Sequence, residues 1–189
     1  MVECSDRCEG ALRSIAPGTS SPTLRLVWLR IVLGSSLVTP LGPSERSLRV
    51  LTKAVEMAVA LNDPAAQARA LSSLVTVHAY RVEYAEARNV VERLRHVAHR
   101  IGDPAIVILA GRVPGTTLMV AGRQREPQQL LERVLQSAAA AHDQLLSNWR
   151  SQHLAMARAT LARALMLQGF ADSVLAETRA RIRSPRTIC

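Results

Sequence analysis

Aromatic residues are scarce: two Trp, two Tyr and one Phe make up 3% of the 189 positions. The 48% hydrophobic content is therefore carried by Ala, Leu and Val, which favour helices packed on helices and argue against an aromatic-rich β-sandwich. That content is ample for a core. Trp28, Trp149, Tyr80, Tyr84 and Phe170 are expected mostly at packing positions, which leaves few rings on which nucleic-acid bases could stack. Lysine is nearly absent as well, Lys53 being the only one among 24 basic residues. The net charge of +9 suggests nucleic acid or an anionic membrane as partner. Yet the arginines are scattered along helical stretches, and an Arg- and Ala-rich bias also follows from codon composition. Only Arg179, Arg181, Arg183 and Arg186 crowd one short segment, as a basic tail over residues 179–189 that could meet phosphates or an acidic protein surface.

Cysteine is equally thin. Cys4, Cys8 and Cys189 are odd in number and lie at the two extremities, so a disulfide framework is not expected and a reducing cytoplasm fits. The opening "MVECSDRCEG" has acidic residues where a secretory signal would be basic and then apolar. The longest apolar stretch, "LRLVWLRIVLGSSLV" from Leu24, is short and holds Arg25 and Arg30, whereas a membrane span needs about 20 apolar residues. It reads as a buried helix. Chemistry-bearing motifs are missing too: no phosphate-binding G-x-x-x-x-G-K-[ST] and no G-x-S-x-G elbow occur. His96 and His99 share a helix face but have no Cys or carboxylate at ligand spacing, while His78, His142 and His153 are isolated. No catalytic residue, cofactor or metal is expected.

What the chain does contain is a repeat. "LNDPAAQA" from Leu61 returns as "IGDPAIVI" from Ile101, and in the same register Asp63, Asp103 and Asp143 each end an apolar run. "VVERL" from Val90 lies over "LLERV" from Leu130, so that Leu51, Val91 and Leu131 share one column. Self-similarity at a period of about forty residues is the signature of stacked helical units, each unable to bury its apolar face alone. Within the units, Leu48, Leu51, Ala54, Val55, Ala58 and Leu61 form one helix face. Ala87, Val90, Val91, Leu94, Val97, Ala98 and Ile101 form the second, and Leu130, Leu131, Val134, Leu135 and Ala138 the third. Asp63-Pro64 and Asp103-Pro104 place an N-cap and a first-turn proline at helix starts. Gly42 and Gly122 share a turn column in which Val82 replaces glycine. After an insertion, Leu154, Ala157, Leu161 and Ala164 give a fourth face, closed by Gly169. Pro114 falls inside a helix, at a cost of about 3 kcal/mol unless the helix kinks. A kink is expected there, either reshaping the concave surface or simply tolerated.

The unit "ALSSLVTVHAYRVEYAEARNVVERL", with Leu74, Tyr84, Glu86 and Ala87, resembles a tetratricopeptide repeat. The resemblance covers residues 24 to 175 and departs from the family in its longer period and in Val82. "GTTL" from Gly115 and "ARATLARALMLQGFAD" from Ala157 look like the helical C-terminal region of large bacterial, rhizobial-type signal-transduction ATPases, which join such arrays to winged-helix or adenylate-cyclase-type domains. The resemblance implies an all-α solenoid of antiparallel helix pairs, three to four units over residues 23–178, after a disordered or poorly ordered segment 1–22. It implies a non-catalytic scaffold for protein–protein interaction, a fragment or stand-alone relative of a regulator's repeat region, cytoplasmic and binding a protein or peptide on its concave face. Arg69, Ser73, His78, Arg81 and Arg112, polar positions of first helices, are the expected contact residues. The final helix, from about Ser173, looks truncated and leaves Val174 and Leu175 uncapped, which suggests self-association or a longer parent chain. The alternative is a basic nucleic-acid-binding helical module, which would need a continuous arginine groove.

Overall fold

The computed structural model describes residues 2–15, 23–123, 125–140 and 148–170, and these are all-helical, with no strand among them. Eight helices follow in order: α1 (Val2–Ile15), α2 (Leu24–Leu41), α3 (Glu45–Ala60), α4 (Pro64–Tyr80), α5 (Tyr84–Ile101), α6 (Pro104–Val120), α7 (Arg125–Ala140) and α8 (Asn148–Leu167). None of them is long and apolar enough to cross a membrane. The repeat sets their boundaries. α4 and α6 begin at Pro64 and Pro104 and end at Tyr80 and Val120, in register at both ends. Asp63 accepts a hydrogen bond from the Ala66 N–H (2.9 Å), and the carbonyls of Asp63 and Asp103 accept from Gln67 and Val107 at 3.0 and 2.9 Å. The Asp-Pro-Ala phrase is thus a helix start, as its composition predicts. α3 opens on a capping box in which Ser44 and Ser47 bond each other's backbone N–H groups.

Helix ends repeat as strictly as helix starts. Asn62 and Gly102 share one register position with φ of 50° and 66°, and Gly42, Val82 and Gly122 share another with φ of 72°, 65° and 79°. At Asn62, Val82, Gly122 and Gly169 the same paired closure forms: the N–H of this residue and of the next reach back three and five positions, as in Glu83 N–H to His78 O (3.0 Å) and Arg123 N–H to Leu118 O (3.0 Å). Val82 is the anomaly, because a β-branched side chain in the left-handed region is strained by about 1–2 kcal/mol. Its side chain is exposed and offers little packing in return. Val82→Gly is expected to stabilise the protein by about 1 kcal/mol, read as a higher midpoint in urea unfolding; an unchanged or lower midpoint contradicts the strain.

The chain divides into two compact units, Met1–Ile101 and Gly102–Cys189. In the first, each of α1 to α5 packs on the next, and α2 also packs on α4. In the second, α6, α7 and α8 pack on one another. Of the faces read from periodicity, Leu51, Ala54, Val55 and Ala58 in α3 and Ala87, Val90, Val91, Leu94, Val97 and Ala98 in α5 are buried, whereas Leu48, Leu61 and Ile101 are half-buried, as are Leu130, Val134 and Leu135 beside the buried Leu131. The column Leu51, Val91 and Leu131 is buried throughout. In the second unit Leu131, Ala157, Leu161 and Leu165 form one cluster, which gives the fourth repeat face its partner. Each fully buried aliphatic side chain contributes about 1.5–3 kcal/mol, so these columns hold the helices together.

Two expectations need correction. Residues 2–15 are a helix and not a disordered lead: Cys8 is buried against Leu33 and Leu37, with Leu12 packed beside them. A helix turn places Cys8 and Leu12 on one face, which covers the otherwise open side of α2. Second, Tyr80 and Phe170 are exposed rather than packed. The helix α6 runs from Pro104 to Val120 with Pro114 inside it. Next to that proline, Gly115 sits against Leu131: a Cβ there would lie 2.9 Å from Leu131 Cγ. Gly111, one turn earlier, faces Val134 in the same way, and in the first unit a Cβ on Gly34 would lie 2.5 Å from Leu51 Cγ. The large leucines of the buried column are seated on glycines of the preceding helix. Asp143, Ala138's side chain, Trp149's side chain, the final helix from Ser173 and the basic tail 179–189 lie outside the described residues.

Candidate functional site

In the first unit α2 and α4 present adjoining outward faces. On α4, Ala65, Thr76 and Tyr80 are exposed and Arg69 and Ser73 half-buried, and the five follow a helical spacing of three and four. On α2, Leu24, Arg25, Val32 and Ser35 are exposed and Trp28 half-buried, by the same spacing. Two contacts join the faces. The Arg69 guanidinium lies 4.7 Å from the centroid of the Trp28 ring, a cation–π geometry. The hydroxyls of Ser35 and Ser73 are 3.0 Å apart and share a hydrogen bond. Both contacts advance along the two helices together, from Trp28 to Ser35 and from Arg69 to Ser73, so α2 and α4 run in the same direction.

Arg69 and Ser73 therefore lie on the side of α4 that adjoins α2. His78 and Arg81 do something else. His78 Nδ1 is 2.8 Å from Glu83 Oε2, Arg81 Nε donates to Glu83 Oε1 at 2.7 Å, and the other end of Arg81 donates to Glu45 Oε1 at 2.6 Å. The hydrogen bond from His78, then that from Arg81, holds the Glu83 carboxyl below the usual carboxylate range. The bond to Glu83 likewise raises Arg81. This cluster ties the α4–α5 turn to the start of α3, across the strained Val82. Arg112 departs furthest from expectation: only 8% exposed, it is a buried residue of α6 and not a surface contact. Burial lowers its pKa, and its Nε has no hydrogen-bond partner among the described residues. It sits at a position where α6 is apolar on nearly all sides, so polarity alone was a poor guide to exposure.

No protein-family model and no curated protein matches the chain. The face itself supplies the chemistry. With the helix limits in hand, charge proves to be sorted by helix. α2, α4, α6 and α8 contain no Asp or Glu, and their charged residues are Arg25 and Arg30, Arg69, Arg112, and Arg150, Arg158 and Arg163 respectively. Every Asp or Glu within the eight helices lies on α1, α3, α5 or α7. On those helices carboxylates are paired locally, as in Arg95 with Glu92 and Lys53 with Glu56, and Arg46 with Glu9 ties α3 to α1. A scan along the linear sequence sees arginines scattered everywhere, because the two kinds of helix alternate. The residues that reading missed are Leu24, Arg25, Trp28 and Val32. Their signal was the spacing of Leu24, Trp28 and Val32 within a stretch judged wholly buried; Leu24 and Val32 are in fact 44% and 42% exposed. His96 and His99 are exposed, and among the described residues no three His, Cys, Asp or Glu side chains gather as metal ligands.

Proposed function

We propose that this protein is a non-catalytic scaffold for protein–protein interaction, built as a tetratricopeptide-like α-solenoid of antiparallel helix pairs with a period of about forty residues. Left-handed backbone positions recurring in forty-residue register, at Gly42, Val82 and Gly122 and at Asn62 and Gly102, support that architecture, as does the packing of α2 on α4 and of α6 on α8 past the helix between them. In this reading the first helix of each pair faces a partner while the second supports it. The observation that carries the function is the joined outward surface of α2 and α4, with Trp28 under Arg69 and two exposed aliphatic residues beside them. A cytoplasmic location and descent from the repeat region of a bacterial signalling regulator belong to the same proposal.

The test is a pull-down from host lysate with and without nuclease, using the wild-type chain and the Arg25→Glu variant, with captured proteins identified by mass spectrometry. A protein retained after nuclease by the wild type and lost by the variant is the expected result. Capture that vanishes with the nucleic acid overturns the scaffold reading in favour of a basic nucleic-acid-binding module.

A further inference from the structure

Within the first unit α1 is held differently from the other helices. α3 buries Leu51, Ala54, Val55, Met57 and Ala58, and α5 a longer row from Ala87 to Ala98. On α1, among the described side chains, only Cys8 is buried, with Leu12 half-buried beside it. Apolar stabilisation scales with the area removed from water, so α1 is weakly seated. Nor does it support itself: isolated helices shorter than about 15 residues are marginal in water, and α1 has 14 residues with an exposed glycine, Gly10, in its interior. A Cβ on Gly10 would meet nothing within 4 Å. Packing therefore does not require glycine there, unlike at Gly34, Gly111 and Gly115, and the residue only weakens the helix. The surface beneath is strongly apolar: Leu33 and Leu37 are buried, with Leu29 and Val50 packed against the same cluster. Leu29, Leu33 and Leu37 line about 12 Å of α2 at the rise of an α-helix, a strip suited to apolar residues at i and i+4 of an amphipathic helix. α1 meets it with Cys8 and Leu12, and the exposed Arg46 of α3 pairs with Glu9.

We propose that α1 is an exchangeable helix: it leaves this groove without unfolding of α2 to α5, and α1 of a second copy of the chain takes its place. Local opening draws on the least stable element of a fold, and here that element is the helix with the smallest buried face and an unneeded glycine. An open chain exposes Leu29, Leu33, Leu37 and Val50 together, an apolar patch that favours association. A second copy is the occupant because the groove already matches α1 in apolar spacing and in the Glu9–Arg46 pair, so that exchange between copies reuses existing contacts. The groove lies on a different side of α2 from Leu24, Trp28 and Val32, and the inference does not depend on the scaffold reading.

The experiment uses the full chain with Cys4→Ser and Cys189→Ser, which leaves Cys8 as its only thiol. Under native conditions a maleimide is expected to label Cys8 at least about tenfold faster than global unfolding allows. Gly10→Ala should slow that labelling about fivefold, by the difference in helix propensity between the two residues. Labelling that proceeds only through global unfolding, or at a rate that Gly10→Ala leaves unchanged, overturns the proposal. The groove is then probed by anisotropy with a fluorescent peptide of residues 1–15. The peptide is expected to bind the Leu12→Asp chain, whose own α1 is unseated, at least about tenfold more tightly than the wild-type chain. A peptide carrying Glu9→Lys should bind that chain more weakly and recover when the chain also carries Arg46→Glu. A Leu12→Asp chain that loses its helical circular dichroism as a whole, or a peptide that binds neither chain, overturns the proposal. Sedimentation at rising concentration identifies the occupant: a wild-type dimer that Leu12→Asp abolishes is expected, and a chain that stays monomeric while its groove takes the peptide overturns the second copy as occupant.

Discussion

The Gly34→Ala variant is expected to lose about 1–3 kcal/mol of stability, the usual cost of overfilling a packed core, despite alanine's better helix propensity of about 1 kcal/mol. The methyl group would arrive 2.5 Å from Cγ and 2.6 Å from Cδ2 of Leu51, and Leu51 is fully buried. It cannot swing aside, because its neighbours Ala54, Val55 and Ala58 on α3 are buried as well. α2 must then lift from α3 or Leu51 must leave its rotamer. Urea unfolding monitored by circular dichroism reads the loss. Adding Leu51→Ala should cost less in the Gly34→Ala background than in the wild type, and strict additivity of the two substitutions would show that the contact is not what limits the site. The same logic applies to Gly111 and Gly115 against α7.

Arg112→Met is expected to act in the opposite direction, raising stability by about 1–3 kcal/mol, within the gain seen when buried ionic groups give way to apolar ones of similar volume. Arg112 is buried in a helix without carboxylates, and desolvation already lowers its pKa. A charge held there without a described partner for Nε costs free energy that methionine, similar in length and uncharged, does not. Chemical denaturation of the two variants Arg112→Met and Arg112→Lys separates charge from volume. Methionine should stabilise and lysine should not. A destabilised methionine variant would mean that the guanidinium is satisfied and belongs to the packing of the second unit.

Much of the architecture was legible because it is local. Aspartate before proline starts a helix through hydrogen bonds within a single turn, so Asp63 and Asp103 could be placed without knowing what α4 and α6 touch. The buried faces of α3 and α5 follow from a spacing of three and four that holds wherever the helix packs. The turn column is a subtler case: Gly42 and Gly122 announce a left-handed residue, and Val82 adopts it at the same register because the closure at the end of α4 leaves no other conformation.

The candidate face was less legible, because exposure depends on what packs against a helix. "LRLVWLRIVLGSSLV" is apolar enough to be buried on every side, yet among the described helices only α1, α3 and α4 cover α2, and Leu24 and Val32 are exposed. Arg112 fails in the reverse sense: a polar residue on a helix that its neighbours almost enclose. The carboxylate-free surface was hidden for a related reason, since α3 and α5 insert their acidic residues between first helices in sequence but not in space.

By itself, then, the sequence determined where α4 and α6 start and which faces α3 and α5 bury, both of which depend on hydrogen bonds and periodicities within about twenty residues. Only the tertiary structure decided that α1 joins the fold, that glycines seat the leucines of the buried column, and that Trp28 meets Arg69. Those outcomes depend on which helix lies beside which, and on how closely two backbones approach, quantities that local hydrogen bonding leaves open.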